Sequence, residues 1–401
     1  MEGTQFRYVI KFVTDVARYA SVTLKPLAAG LIVVLTGLLP AHADHVHQLY
    51  YNNSNWTDTD LTALTGGGIA TSFGAIAAFY TTPNQQLHVY YVDVVDHVHQ
   101  LYYNGTNWSD EDLSALTGGP TASPYGITGF SIGNLQYVFY TGTTDNHVHE
   151  LNYNNSNWSD QDVTAQGSGV SAGLGPILAF ATKPNNQFHV YYQDNNSLNL
   201  HQLYFNGTSW SDSDLTSIIG GAYCYTSWIA GLAAGNQQHI LCPGFGSSGN
   251  LDMLHIFYNN SIWQYEDISV KVGGAPLYLG GGVAAFQVPG KPQGEVFGVT
   301  GDTHVHQYSF NKKWTDLDLT ASIGAPASAG FGGMAAFATT PNNQFHAYYQ
   351  PSTEVYQLYF NGSNWAYEDL TGGGGQADDN SGMAGFALGD LQHVFYLGAG
   401  N

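Results

Sequence analysis

Arginine is almost missing from this chain: of 401 residues only Arg7 and Arg18 are arginine, and lysine adds seven more cations against 30 Asp and Glu. Any mechanism that grips a carboxylate or phosphate with a guanidinium fork is therefore excluded beyond residue 18. Charge of either sign is scarce, 10% of residues where globular chains carry roughly 25%. The net charge of −21 repels nucleic-acid backbones and anionic lipid surfaces, so no nucleic acid and no membrane insertion are expected. Cysteine is limited to Cys224 and Cys242. The metalloprotease pattern HExxH and phosphate-binding loops are lacking as well, and no cofactor is implied.

Long apolar runs are also lacking, with one exception. Arg7, Lys11, Arg18 and Lys25 precede an apolar stretch from Pro26 to Pro40 that ends in Ala41-His42-Ala43, a small-x-small cleavage signal. The stretch is short of the ~20 residues that span a bilayer. Residues 1–43 read as a secretory signal peptide, and 44–401 as the mature, secreted protein, extracellular or periplasmic. That mature chain holds five lysines, 28 acids and no arginine.

What is abundant is glycine, 49 residues, and aromatics, 14% with 28 Tyr, a profile of close-packed β structure with tight turns. Length alone suggests two or three domains. An internal repeat overrides that. Trp56, Trp108, Trp158, Trp210, Trp263, Trp314 and Trp365 recur at intervals of 50 to 53 residues, each followed four positions on by Asp, then an aliphatic residue, then Thr or Ser. Upstream of each Trp lies a strand such as His97–Tyr103, joined to it by an Asn- and Gly-rich hairpin turn. Downstream come a Gly/Ala-rich segment and an aromatic one. Four short strands per unit, seven times over, predict an all-β fold: a seven-bladed β-propeller in one domain, 44–401. An α-solenoid would need a 3.6-residue apolar period, and a β-helix needs shorter coils.

Blades crowd at a propeller's axis, so the Gly/Ala segments (Gly74–Phe79, Gly126–Phe130, Gly175–Phe180, Trp228–Leu232, Gly281–Phe286, Gly332–Phe337 and Gly382–Phe386) are expected innermost and the Trp strands outermost. The chain from Asp44 then begins with the third and fourth strands of a unit and ends after a first and second. The last blade is expected to be closed by the N-terminal strands. Blade 5 departs most, with Gln287–Gly294 in place of the Pro-Asn-Asn-Gln turn of blades 3 and 6.

The runs His-Val-His-(Gln/Glu)-Leu at 45–49, 97–101 and 147–151, Trp-Ser-Asp-x-Asp-(Leu/Val) at 108–113, 158–163 and 210–215, and Gln-His-Val-Phe-Tyr at 392–396 resemble the propeller lectins of the fucose-specific lectin superfamily, bacterial members especially. The resemblance implies non-catalytic carbohydrate binding, of fucose or a related sugar, in pockets between neighbouring blades. Fungal relatives hold fucose with an Arg, Glu and aromatic set; this chain lacks the Arg.

Comparing the units separates framework from candidate site. Counted from the first residue of the third strand, position +6 is aromatic in every unit (Tyr51, Tyr103, Tyr153, Phe205, Tyr258, Phe310, Phe360) and reads as core. Position +5 faces the other way and varies. Tyr50, Tyr102, Tyr204 and Tyr359 there could stack on the apolar face of a pyranose, or simply pack on the adjoining blade. The loops between blades vary most and could add the hydroxyls of Ser72, Ser123, Thr226 and Ser328. The tryptophans Trp56, Trp108, Trp158, Trp210, Trp314 and Trp365 are further candidates, although their recurrence favours blade-to-blade packing, with the following Asp as a turn acceptor.

The Asp-x-Asp pairs supply too few oxygens for Ca²⁺. The pairs His45/His47, His97/His99, His147/His149 and His304/His306 make a metal half-site at best; three units lack the pair, and a structural, hydrogen-bonded role is the stronger reading, so no metal is expected. Asn-x-Ser/Thr triplets such as Asn104-Gly105-Thr106 fit hairpin turn chemistry.

An enzyme is not expected, although composition alone leaves a paired-carboxylate glycosidase open. The competing class is an extracellular protein-binding scaffold, and homo-oligomerisation stays open. Pairing in blade 4 sets Cys242 opposite about Trp228. A Cys224–Cys242 bridge, favoured over two buried thiols, then needs the 224–227 segment to fold back within the ~4.4–6.8 Å Cα window.

Overall fold

The computed structural model describes residues 44–224, 228–246, 248–288, 294–328, 332–371, 377–378 and 381–400. Residues 1–43, and with them the signal-peptide reading, lie outside the described residues. Among those described, no helix is long and apolar enough to cross a membrane.

Seven antiparallel sheets follow one another in sequence order. Blade 1 runs Ala77–Tyr80, Leu87–Val92, Val98–Tyr103, Trp108–Asp112, and the others repeat it. In blade 7 the order is Trp56–Asp60, Asp44–Tyr51, Leu391–Ala399, Met383–Leu388, with Asp44 opposite Ala399 and Tyr51 opposite Gln392. The two ends of the chain therefore share one blade, as the strand count predicts.

The inner strands touch their neighbours all the way round, which explains their composition. A Cβ on Gly382 would lie 2.8 Å from the Ala75 Cα, and one on Gly333 2.6 Å from the Met383 nitrogen. These are backbone atoms with no room to give. Except in blade 2, where the inner strand already begins at Ala122, the strands start later than the Gly/Ala pattern suggests (Ala77 rather than Gly74 in blade 1); there the first residues turn into the blade, the Gly74 N–H donating to the Thr71 carbonyl.

Six of the seven outer strands end in something that strand periodicity does not show. The recurrent Asp caps a five-residue helix, in Leu61–Thr65, Leu113–Thr117, Val163–Gly167, Leu215–Ile219, Ile268–Val272 and Leu319–Ile323. Its carboxylate accepts from the N–H three residues on, as Asp60 does from Ala63 at 2.8 Å. The Thr or Ser two residues after the Asp accepts an N–H at or near the start of the third strand: Val46 to Thr62 at 2.9 Å, Val98 to Ser114 at 2.8 Å, Val148 to Thr164 at 2.8 Å, and likewise in the other four blades. One repeated motif thus ties the outer edge of a blade to its middle. The hairpin Asn does a similar job: Asn104 Oδ1 accepts from the N–H groups of Thr106 and Asn107.

In blade 4 a short strand, Tyr223–Cys224, pairs beyond the end of the inner strand, setting Cys224 opposite Gly244 while Ala230 faces Leu241. This brings Cys224 and Cys242 to a Cα separation of 5.7 Å, and they are disulfide-bonded.

Candidate functional site

The seven tryptophans stand at the seams between blades. Six set their indole edge on a ring of the preceding blade: Trp56 on Tyr348, Trp108 on Phe395, Trp158 on Tyr90, Trp210 on Phe139, Trp263 on Tyr191 and Trp365 on Phe297, with centroids 6.1 to 6.3 Å apart. Each receiving ring lies on a second strand, opposite position +3 of the third strand, which is Gln or Glu in these six blades.

Blade 4 breaks the pattern twice. The ring position is Leu241, and the residue opposite it is His255. Across the seam, blade 5 carries Gly294 where blades 3 and 6 have Phe188 and Phe345. Leu241 in place of the ring and Gly294 without a side chain stand on opposite sides of a cleft of about 520 Å³ between blades 4 and 5, lined among others by His239, Phe257, Glu266, Phe310, Lys312 and Trp314.

Polar groups converge inside it. The Trp314 Nε1–H donates to Glu266 Oε1 at 2.7 Å, His255 Nδ1 bonds the same oxygen at 2.8 Å, and Lys271 donates to the other oxygen. His239 Nδ1 lies 2.9 Å from His255 Nε2, the two imidazoles stack at 5.1 Å, and Phe257 closes the cluster, 4.7 Å from His255 and 6.4 Å from His239. Burial by itself would raise Glu266, but these hydrogen bonds outweigh it and hold the carboxyl down at about 2. Burial pushes His239 down to about 4 and also lowers His255. At neutral pH the cleft therefore presents a fixed carboxylate, the Lys312 ammonium, two neutral imidazoles and three rings. Such a set accepts and donates hydrogen bonds beside apolar faces, as recognition of a polyhydroxylated ring requires.

Of the residues singled out from sequence, the structure places Trp314 in this cleft. The +5 tyrosines lie half-buried at the corresponding seams of other blades. Tyr50 stacks on His393 at 4.8 Å and Tyr204 on His189 at 5.2 Å, while Tyr102 and Tyr359 pair opposite His88 and His346. The loop hydroxyls are not brought to them. Ser72 bonds Asp44, Ser123 donates to the Leu174 carbonyl at 2.7 Å, and Ser328 is buried against the Gln350 carbonyl. These sites lie at the rim where third strands begin, some six residues, about 20 Å, from position +5 near their ends. Thr226 lies outside the described residues. Position +6 is not core: those rings tilt against the Trp of their own hairpin, as Tyr51 does on Trp56 at 5.2 Å, and Phe310 is 40% exposed.

The His-x-His and Asp-x-Asp motifs meet across the outer hairpin. His47, His99, His149 and His201 bond Asp58, Asp110, Asp160 and Asp212, and a tyrosine on the second strand shares each carboxylate, as Tyr140 does with Asp160 at 2.7 Å. Gly169-Val170-Ser171-Ala172-Gly173 has the spacing of a serine-hydrolase elbow, but it lies in the loop entering blade 3, where Ala172 bridges Asp194, not in a strand-to-helix turn.

Sequence comparison passed over His239, His255, Glu266, Leu241 and Gly294. The available signal was that blade 4 is the one unit with His rather than Gln or Glu at +3.

No family model and no curated protein sequence matches the chain. Solved structures do. A lectin from Burkholderia pseudomallei aligns with a TM-score of 0.58 at 17% identity, over 82% of this chain and 97% of that one. The AofleA protein of Arthrobotrys oligospora gives 0.50 at 13% identity, over 88% and 92%. The fungal lectin of Aleuria aurantia, described as a six-bladed β-propeller with a novel fucose recognition mode, gives 0.50 at 18% identity, over 74% and 95%, and a variant of it was solved with alpha-methyl-L-fucoside. What this chain shares with these lectins is the fold: it is a seven-bladed member of the propeller architecture that fucose-specific lectins use.

Proposed function

We propose that the protein is a secreted, non-catalytic carbohydrate-binding propeller, a lectin, that takes a fucose-like or related sugar between blades, with the blade 4/5 cleft as its principal site. The observation that carries this reading is the cleft itself, where Glu266 is anchored by Trp314, His255 and Lys271 beside Phe257 and Phe310. In this reading the carboxylate takes sugar hydroxyls and a ring takes the apolar face. The anchoring is done by an imidazole and an ammonium, so the lack of arginine is no obstacle. Glu266 is the one carboxylate among the residues lining the cleft, whereas glycoside hydrolysis needs two, about 5 to 9.5 Å apart. Secretion rests on the basic and apolar N-terminal stretch and on the Cys224–Cys242 bridge.

A glycan array on residues 44–401, followed by calorimetry, tests the proposal. Glu266→Gln keeps the shape and removes the charge. It is expected to weaken binding by about tenfold or more, the value of a charge-assisted hydrogen bond, while circular dichroism stays unchanged. The number of sugar equivalents per chain gives the valence, and more than one makes avidity available on glycosylated surfaces. Silence on every glycan overturns the lectin reading in favour of a protein-binding scaffold.

A further inference from the structure

We propose that blade 5 carries a binding site for a Zn²⁺-class divalent cation, formed by Asp302 Oδ2, His306 Nε2 and Asp318 Oδ2. These three atoms lie within 4.8 Å of one another. His306 is 6% exposed, and its Nε2 is buried with no hydrogen-bond partner. It points between the two carboxylates, 3.8 Å from Asp302 Oδ2 and 3.9 Å from Asp318 Oδ2. An unmade hydrogen bond on a buried imidazole costs free energy, and in three other His-x-His units the same nitrogen has a partner: the Ala399 carbonyl for His47 at 3.2 Å, Asp93 for His99 at 3.4 Å and Asp145 for His149 at 3.0 Å. In blade 5 the gap is too wide for a hydrogen bond and close to the separation of two ligands on one ion.

With bonds of about 2.0 to 2.2 Å, ligands in a tetrahedral shell sit roughly 3.4 Å apart, so the gaps of 3.8 and 3.9 Å from His306 Nε2 to the two carboxylates need a few tenths of an ångström of closure. Asp302 is 45% exposed and Asp318 30%, which leaves the outer coordination positions to water.

The supporting groups are in place. Asp316 Oδ1 holds His306 Nδ1 at 2.8 Å, completing the carboxylate–imidazole–metal order that fixes a ligating histidine's tautomer. Asp318 uses its other oxygen to cap the helix at Ala321 and receives His304 Nδ1 on Oδ2 at 2.7 Å. Asp302 Oδ1 is anchored by Thr300 and by the His304 N–H. One nitrogen and two oxygens suit Zn²⁺ or its first-row neighbours better than Ca²⁺, which wants six or more oxygens. The sequence reading paired His304 with His306 as two ligands of a half-site. The hairpin register corrects that pairing, setting Asp318 opposite His306, with Asp302 reaching in from the preceding turn.

The test is zinc uptake by the chelator-stripped protein, read by calorimetry and by metal analysis after desalting. Wild type is expected to bind Zn²⁺ saturably and to melt at higher temperature with it. Asp302→Asn, at an exposed turn, should keep the fold and lose one equivalent or weaken that step about tenfold or more. Asp145→Asn, the counterpart in blade 2, should retain it. If wild type takes up no zinc at 0.1 mM, or if Asp302→Asn binds as wild type does, the proposal is overturned and His306 is simply one member of an ion pair.

Discussion

His88, His189, His346 and His393 are each buried beside a glutamine of the third strand. Gln100, Gln202, Gln357 and Gln48 bond their Nδ1 atoms at 2.8 to 2.9 Å. In blades 1, 3 and 6 the same glutamine reaches across the seam to Gln136, Gln238 and Gln392 of the next blade at 2.7 to 2.8 Å. Burial drives these imidazoles down, His189 to about 3 and the others to about 4. Because they titrate near 6.5 when unfolded, the unfolded chain binds more protons between pH 6.5 and about 4, and stability falls as pH falls through that window. His99 works in the opposite sense. Burial disfavours its charge, but Asp110 and Asp93 outweigh that and raise it to about 9, so its contribution is whole below 6.5 and is lost as pH rises towards 9. Melting temperature plotted against pH should therefore peak near pH 6 to 7, with each buried neutral histidine costing on the order of 1 to 2 kcal/mol by pH 5. A flat acid limb from pH 6.5 to 4.5 would contradict the assignment. None of this was legible at single residues, since a repeated His reads alike whether neutral in the seam or charged against Asp; only the strand register separates the two kinds.

The outer hairpin with its helical turn is the recurring element. Thr164→Val keeps the volume but leaves the buried Val148 N–H without its acceptor, so a loss of about 1 to 3 kcal/mol in urea unfolding is expected. Thr164→Ser should be close to neutral, and equal losses in both variants would rule out the hydrogen bond as the cause. The Trp, Asp and Thr/Ser of this element stand out in the sequence because every blade needs them. The five-residue helix they build does not, because it is too short to show a 3.6-residue period. Blade 4 adds its covalent tie. Replacing Cys224 and Cys242 by Ser opens a crosslink between residues 18 apart and should cost about 3 kcal/mol, while unreduced, denatured protein should show no alkylatable thiol by mass spectrometry.

At the scale of the whole molecule, blade number and ring closure were legible because they are sums over repeats. The cleft was not, because it is made by subtraction: Leu241 lacks a ring and Gly294 lacks a side chain, on strands of different blades that meet only in the folded ring. Leu241→Phe restores the ring of six other blades and is expected to fill the cleft, abolishing sugar binding by calorimetry with little change in melting temperature. Binding undiminished in that variant would move the site to another seam. The blade shared by the two ends also sets a timetable. Asp44 pairs with Ala399, so the strand Asp44–Tyr51, made early, must wait, unpartnered on one edge, until Leu391–Ala399 has been synthesised. Any product that stops short of Leu391–Ala399 is an open ring with bare edges, a form that proteases and aggregation remove first.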